Sequence, residues 1–348
     1  MEPKEPKKKN RNSAINFPIK HLSNTKKTPQ PKPIQSVKAI PTLSLNKEIN
    51  PAPISNILTL DLLSKKYDQY DLPKFSNKQI GPLKSYSYNT YQGLYKDYNE
   101  DKVSVSSLLK KPTTSKLKAW PKISYFAIFD GHGGEECSEF LKENFDKYLI
   151  ENKNFPYDIK LSMIETFQKI EEDFFKLKCK EDSFEDSDKS GSCALVTLIY
   201  DNKIYIANIG DSRAIMSVNG GTKVKQLTID HKPDNIKEFE RAIKTGSKIY
   251  LDDNDDPFRD ESTLEFIKDK TELEKMKEIK DNNTDDEKIF RVYPSDLAVM
   301  RTIGDIKAKK KEFGGVPGTI IIFLIYSFLK LIAIMILLLW AVMESLMI

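Results

Sequence analysis

Residues 129–134, with the sequence Phe-Asp-Gly-His-Gly-Gly, carry the strongest local signal for chemistry. They end a compact apolar run, and a carboxylate at the end of a buried strand is held rigidly. The carboxylate of Asp130 and the backbone carbonyl of Gly131 are hard oxygen ligands suited to Mg²⁺ or Mn²⁺. His132 could donate a proton near neutral pH. Taken alone, these residues could also form a simple turn after a strand.

Two further acidic sites lie on either side of this motif in the sequence. Glu100 and Asp101 are adjacent at the start of a predicted strand, so at most one of them would face a metal site. Asp211 lies in a Gly-Asp-Ser-Arg sequence at the junction of two predicted strands. Taken alone, the first pair could be surface charge and the second site could be a hairpin turn.

Together these segments resemble the type 2C family of metal-dependent protein serine/threonine phosphatases. Six motifs occur in the family's order across about residues 86 to 320: Gly-x-x-Lys-x-x-Asn-Glu-Asp at 93–101, Phe-Asp-Gly-His-Gly-Gly at 129–134, Ser-Gly-Ser-Cys-Ala at 190–194, Ala-Asn-Ile-Gly-Asp-Ser-Arg-Ala at 207–214, Asp-His-Lys-Pro at 230–233, and Leu-Ala-Val-Met-Arg-Thr-Ile-Gly-Asp at 297–305. The resemblance implies hydrolysis of phosphoserine and phosphothreonine on phosphorylated protein partners, as in signal transduction.

The resemblance also implies a two-metal centre that binds Mg²⁺ or Mn²⁺. Asp130 would bridge the two ions, the carbonyl of Gly131 would bind one, and Glu100 would hold one through water. Asp211 matches a position associated with a third, weaker ion. The metals would activate a water that attacks phosphorus in line with the departing oxygen. His132 is similar to the family's general acid, which protonates that oxygen.

Lys96 is a departure from the family, which usually has a phosphate-binding arginine at this position. Lysine pairs with phosphate as a point charge but cannot make the bidentate contact of a guanidinium group. We therefore expect weaker substrate binding but not loss of function.

The elements around these motifs predict an α+β fold. Helical spacing covers 135–152, 159–176 and 236–244, and strand patterns cover 193–200, 203–209 and 213–218. The pair Asp201-Asn202 predicts a tight hairpin turn between the first two of these strands. The resemblance implies a four-layer sandwich, in which two antiparallel β-sheets are flanked by helix pairs. The catalytic domain would span 86–319. We predict that its charged segment 252–288 is an exposed acidic insertion and not a core element.

The composition of the chain bears on its partners and on the cellular compartment in which we expect it. The 348-residue chain has a formal net charge of +4, too small a bias to indicate a nucleic-acid partner. Its three cysteines have no Cys-x-x-Cys spacing and fit a reducing compartment. Residues 1–80 are rich in Lys, Pro and Asn and predict a disordered basic tail. No secretory signal precedes it, so we expect a cytoplasmic or nuclear protein. We also expect a monomer.

The C-terminal segment 320–348 does not fit this domain. Residues 320–342 are almost wholly apolar, which is typical of a transmembrane helix and would make the protein membrane-anchored. Lys330 near its middle would cost roughly 2.5–3.5 kcal/mol on insertion scales. The family instead has a strand here that ends in Cys-Asp-Gly and supplies a metal aspartate. We therefore predict that the chain is truncated relative to the family and lacks the C-terminal strands of the sandwich.

A shifted frame offers another interpretation of this segment. Read two nucleotides out of frame, the codons of Trp340 and Ala341 give glycine, and those of Met343 and Glu344 give glycine again. The codons between them permit Cys-Asp, so the shifted peptide is compatible with Gly-Cys-Asp-Gly. We therefore predict a frameshift or intron read-through from about residue 320. If the segment is genuine, a catalytically inactive, phosphoprotein-binding pseudophosphatase is the alternative function.

Overall fold

A computed structural model describes residues 74–76, 79–92, 97–179, 187–252, 261–282, 288–322, 325–330 and 336–340. All of them lie within one unit of the chain, residues 63–348. The predicted tail lies outside the described residues up to residue 73. Residues 74–76 of that segment form a strand that pairs with Tyr86–Tyr88.

The elements of the described residues are antiparallel strands and five helices. The strands are β1 Lys74–Ser76, β2 Tyr86–Tyr88, β3 Lys102–Ser106, β4 Ile123–His132, β5 Gly191–Tyr200, β6 Lys203–Ile209, β7 Arg213–Val218, β8 Lys223–Gln226, β9 Lys248–Asp252, β10 Phe266–Ile267, β11 Ile289–Tyr293, β12 Ile303–Gly304, β13 Ile325–Lys330 and β14 Ile336–Trp340. The helices are α1 Glu136–Glu151, α2 Ile159–Lys178, α3 Ile236–Thr245, α4 Lys270–Asn282 and the short α5 Ile306–Lys309.

The largest sheet has the strand order β13-β6-β5-β4-β3, and β12 pairs with the first residues of β5. Residues 201–202 join β5 to β6 in the tight turn that the sequence predicts. The predicted helices 135–152 and 159–176 correspond to α1 and α2. Helix α2 begins after Asp158, whose side chain accepts a hydrogen bond from the amide of Leu161 and so caps the helix.

One face of the large sheet packs against α1 and α2. Alternate residues of β4, including Tyr125 and Phe129, are fully buried there. The ring centroid of Phe145 from α1 lies 5.8 Å from that of Phe129 and 4.8 Å from that of Phe167 of α2. Burial of each such side chain stabilises the fold by about 1.5–3 kcal/mol. The remaining β4 residues, Asp130 among them, point to the opposite face.

The opposite face of the large sheet packs against the sheet β14-β7-β8. Its apolar cluster joins Leu195 and Ile206 to Ala214, Met216 and Leu227. A further sheet, β10-β9-β11, packs with α3 and α4 around a cluster of its own. The predicted α+β sandwich of antiparallel sheets and helices is confirmed.

The charged segment 252–288 was predicted to lie outside the core, and this is wrong. It contains β10 and α4, and it buries Ile267 and Leu273 in the cluster shared with α3. Only a few apolar residues do this, because α4 exposes a charged face to solvent and buries a narrow one. The prediction rested on the high content of charged residues in the segment, and a few apolar residues among many charges do not change that content.

The expectations for the C-terminal segment also need correction. A single transmembrane helix over 320–342 is wrong, because 325–330 and 336–340 are the strands β13 and β14, which pair with β6 and β7. Across the described ranges, no helix has the length and apolar character needed to cross a membrane. The expectation that the C-terminal strands are missing is wrong for these two strands, which occupy sheet edges. A continuous apolar run is compatible with a buried strand as well as with a membrane helix. Here the run forms strands because it can pair with the edge strands β6 and β7.

Candidate metal and proton-transfer site

Three adjacent strands bring together the side chains that could bind a metal ion. Asp130 on β4 lies directly opposite Cys193 on β5, and Asp211 follows the end of β6. One ligand atom from each of these three residues lies within 4.8 Å of the other two. Cys193 and Asp211 are buried. The thiol of Cys193 donates a 3.3 Å hydrogen bond to Oδ1 of Asp211.

Negative charge is concentrated around Asp130. Burial, followed by the charges of Asp101 and Asp211, raises the pKa of Asp130 well above its usual value. Burial, followed by the negative charges of Asp211 and Asp130, raises the pKa of the Cys193 thiol well above its usual value. The amine of Lys232 lies 3.6 Å from Oδ2 of Asp211 and partly offsets this charge.

This arrangement fits a divalent cation. The raised pKa of Asp130 means that the surrounding protein groups disfavour its charged form. A bound cation would instead favour the charged carboxylate. The donor set is mainly oxygen, as Mg²⁺ and Mn²⁺ prefer, with one sulfur that favours softer metals. The residues present therefore fit the metal ions that the sequence predicts.

Glu100 and Gly131 lie beside this cluster. Oε1 of Glu100 accepts a 2.9 Å hydrogen bond from the amide of Gly134, and its backbone carbonyl accepts one of 2.5 Å from the hydroxyl of Ser138. A side chain at position 131 would overlap the Glu100 carbonyl and Ser138. Only glycine therefore allows the turn before β3 to pack against the end of β4.

His132 lies two residues after Asp130 on the same face of β4, and it pairs with Asp305. Its Nε2 is 2.9 Å from Oδ2 and 3.1 Å from Oδ1 of that carboxylate. Burial lowers the pKa of His132, but the charge and hydrogen bond of Asp305, with the charges of Asp130 and Glu100, raise it above its usual value. Burial would raise the pKa of Asp305, but His132 holds it below its usual value.

A second histidine supports the loop that carries Asp211. Nδ1 of His231 accepts a 3.1 Å hydrogen bond from the amide of Gly210, and its carbonyl accepts one of 2.7 Å from the amide of Met300. Burial and the nearby charge of Arg301 lower the pKa of His231 to about 4. His231 is therefore neutral at pH 7.

The structure thus brings together most of the predicted site residues. Asp130, Gly131, Asp211, Glu100 and His132 lie at one end of the large sheet. Lys96 lies outside the described residues, and its predicted phosphate contact stays a prediction.

Sequence reasoning assigned no role to three residues of the site: Asp101, Cys193 and Asp305. All three lie inside the motifs at 93–101, 190–194 and 297–305. Their position in those motifs was the available signal. Their contacts cross between strands far apart in the sequence, which no local pattern encodes.

The family model described as Protein phosphatase 2C matches residues 95–327, well over half of the chain. The chain belongs to the protein phosphatase 2C family. The matched range contains every predicted site residue from Lys96 to Asp211 and the Asp305 pair of His132.

Curated relatives of this family align with the chain over shorter ranges. The "Probable protein phosphatase 2C 55" of Oryza sativa subsp. japonica is 34% identical over 169 residues, which are 49% of this chain and 41% of the relative. The "Protein phosphatase 2C 1" of Paramecium tetraurelia is 37% identical over 134 residues, which are 36% of this chain and 44% of the relative. The chain therefore spans less than half the length of these relatives.

Proposed function

We propose that this protein phosphatase 2C chain hydrolyses phosphoserine and phosphothreonine on proteins with the help of bound Mg²⁺ or Mn²⁺. The observation that carries the proposal is the cluster of half-buried Asp130 with buried Cys193 and Asp211 next to His132. Metal ligands and a proton donor are the two elements that metal-assisted hydrolysis of a phosphate ester uses, one to activate water and one to protonate the leaving alcohol oxygen.

Each residue would have a distinct role. Asp130, the Gly131 carbonyl and Glu100 would hold two ions, and Asp211 would contribute to a third, weaker site. The bound ions would supply the Lewis acidity that activates a water for attack on phosphorus. His132 donates the proton that the departing alcohol oxygen needs. Lys96 would bind the phosphate oxygens as a point charge.

The test is metal-dependent turnover of a phosphothreonine peptide by the purified full chain. We expect hydrolysis with Mn²⁺ or Mg²⁺ and none with excess EDTA. Asp130→Ala should reduce kcat by at least about 10³-fold, because the central ligand is lost. Asp173→Asn serves as a matched control, since it removes a carboxylate of α2 whose partners are Tyr148, Lys169 and Lys176, and it should leave kcat unchanged. Hydrolysis in excess EDTA at the same rate as with Mn²⁺ or Mg²⁺ would contradict the proposal.

The C-terminal segment bears directly on this function. Strand β14 ends at Trp340 opposite Arg213, and Arg213 is only two residues from Asp211. In the sequence, Trp340 is followed by Ala-Val-Met, which has no carboxylate. The shifted frame permits Gly-Cys-Asp-Gly at this point. This coincidence supports the proposal that the segment is translated from a shifted frame.

Sequencing the transcript from the Gly314 codon onward tests this second proposal. A corrected frame that continues through Gly-Cys-Asp-Gly would supply the further metal aspartate and support an active phosphatase. If the frame stands, the metal centre has fewer carboxylates, and the alternative of a phosphoprotein-binding pseudophosphatase is favoured. Binding of a phosphopeptide without turnover in Mn²⁺ would then identify that alternative.

A further inference from the structure

We propose that Asp305 is the positioning residue for His132: its carboxylate occupies Nε2, so that the imidazole presents Nδ1 to the departing alcohol oxygen. This inference rests on the proposed function and adds a residue and an atom to it. Asp305 touches neither substrate nor metal in this proposal, and it acts only through His132.

The contact itself is short and protected. Both carboxylate oxygens of Asp305 lie within hydrogen-bond distance of Nε2, at 2.9 and 3.1 Å. The Asp305 side chain is only 5% exposed. An ionised carboxylate can only accept hydrogen bonds, so Nε2 carries the proton of this pair. Of the two ring nitrogens, Nδ1 is the one left for the substrate.

The sheet explains how residues 173 positions apart meet. Gly191 of β5 pairs with His132 of β4 on one side and with Gly304 of β12 on the other. A side chain at position 191 would overlap both Asp305 and the ring of His132. Glycine at this position therefore leaves the space across which the carboxylate reaches the imidazole.

Asp305 is fixed in an uncommon backbone conformation. Its φ of +51° lies in the left-handed region, which costs a non-glycine residue about 1 kcal/mol or more. Its amide donates a 3.0 Å hydrogen bond to the carbonyl of Ser190, and its carbonyl accepts one from the amide of Lys309. Strain of this kind persists only where the surroundings determine it, and it is typical of functional sites.

Helix α2 secures the same loop from outside the sheet. Oε2 of the buried Glu171 accepts a 2.9 Å hydrogen bond from the amide of Gly304, and Oε1 pairs with the amine of Lys309 at 2.6 Å. That amine also donates to the carbonyl of Thr302 at 2.8 Å. The residues on both sides of Asp305 are therefore held, and its carboxylate has little freedom to leave His132.

The proton balance of the step follows from this geometry. The oxygen of water forms the new bond to phosphorus and releases one proton to solvent, while the bond to the serine or threonine oxygen breaks. The leaving oxygen takes the proton from Nδ1, and the imidazole stays bound to Asp305 through Nε2–H. Solvent then returns a proton to Nδ1. Removing the Asp305 carboxylate would leave the ring free to rotate, so that Nδ1 would no longer be held toward the leaving oxygen.

The experiment compares two substrates whose leaving groups differ in their need for a proton. The leaving group of p-nitrophenyl phosphate departs as a stable phenolate, whereas that of a phosphothreonine peptide is a strongly basic alkoxide. In Asp305→Asn we expect kcat for the peptide to fall about 10²-fold, with KM changed by less than about twofold. kcat for p-nitrophenyl phosphate should fall by less than about threefold. Asp173→Asn should change neither.

A double variant separates positioning from general damage. Asp305→Asn combined with His132→Gln should turn over the peptide no more slowly than His132→Gln alone, because both act through one group. Equal losses on the two substrates, or losses that multiply in the double variant, would overturn the proposal.

A measurement on the unmutated protein covers the case in which Asp305→Asn does not fold. With ¹⁵N-labelled histidine, NMR should show the His132 signal with a hydrogen-bonded proton on Nε2, assigned by its loss in His132→Gln. A neutral ring protonated only on Nδ1 would overturn the proposal. If the unmutated chain hydrolyses neither substrate in Mn²⁺, the proposed function fails, and the NMR result alone decides the role of Asp305.

Discussion

The two halves of the site differ in how their charges are satisfied. In the proton-transfer half, His132 and Asp305 form an internal ion pair, each shifting the pKa of the other toward the charged form. In the metal half, Asp130 is surrounded by carboxylates, and its pKa is raised well above the usual value. One half is electrostatically complete within the protein, and the other is complete only with a cation.

This difference implies that the two halves depend on a bound metal ion to different extents. The proposed proton donor, His132, is held by Asp305 before any ligand binds, as a preorganised catalytic group must be. The carboxylate cluster should destabilise the metal-free protein, and the proposed metal ions should stabilise it. The same fold therefore contains a rigid half and a half whose stability reports on metal.

Removing a carboxylate from each half should have opposite effects on the metal-free protein, and this is the largest effect we expect. Asp305→Ala should lower the free energy of unfolding by about 3 kcal/mol, because it leaves half of a buried pair. Asp130→Ala should raise it slightly, by up to about 1 kcal/mol, because it relieves buried like charge. Urea unfolding in EDTA measures both. Equal destabilisation by the two variants would contradict the comparison.

The two histidines of the site should respond to acid in different ways. His231 has a folded-state pKa lowered to about 4, so the unfolded state binds more protons between pH 6.5 and 4. Its contribution to stability should therefore decline as pH falls through this window, by on the order of 3 kcal/mol in total. Urea unfolding at pH 7, 5.5 and 4.5 measures the slope.

His231→Gln should flatten this acid slope, and His132→Gln serves as the matched control. Because the folded-state pKa of His132 is raised, its stabilising contribution is fully present below pH 6.5 and is lost only at higher pH. His132→Gln should therefore keep the part of the slope between pH 4 and 6.5 that comes from His231, while the pKa of Asp305, no longer held down by His132, rises through burial. An unchanged slope in His231→Gln would show that other groups dominate acid unfolding.

Metal should stabilise the protein through one half only. At a Mn²⁺ concentration of 100 times Kd, we expect an increase of about 2.7 kcal/mol in the free energy of unfolding. Asp130→Asn should lose most of this gain, whereas Asp305→Asn should keep it. Thermal unfolding with and without Mn²⁺ measures the gain. A gain lost in both variants would mean that the two halves are not independent.

Cys193 should produce the smallest effect, on the choice of metal. Its sulfur lies among the carboxylate ligands and favours softer metals. Cys193→Ser should reduce the preference for Zn²⁺ over Mg²⁺ by roughly tenfold, about 1.4 kcal/mol. Competition binding measures this ratio, and a Co²⁺ complex should lose its sulfur absorption band in the variant. An unchanged ratio would place the thiol outside the coordination sphere.

The sequence predicted the regular core better than its periphery. Helices α1 and α2 and strands β5 to β7 follow from apolar periodicity and from the turn at 201–202, which are local signals. The segment 252–288 was predicted wrongly, because residues such as Leu273 are few among many charges. The C-terminal strands were missed because a run of Ile and Leu is compatible with helix and strand alike, and only pairing with β6 and β7 decides.

Within the site, the sequence predicted the residues but not their partners. Asp130 and His132 stand next to each other in one motif, so their joint presence in the site was predictable. The pairs of His132 with Asp305 and of Asp130 with Cys193 depend on strand order and register, which are tertiary properties. A motif indicates which residues matter, but the sheet determines which of them touch.

The lack of a side chain at Gly191 also provides a practical tool. Gly191→Ala would place a methyl group between His132 and Asp305, while the residues proposed to bind metal and phosphate stay unchanged. Under the proposed function, such a variant should bind phosphoproteins without dephosphorylating them. Used as bait in an extract, it would retain its substrates so that they could be identified.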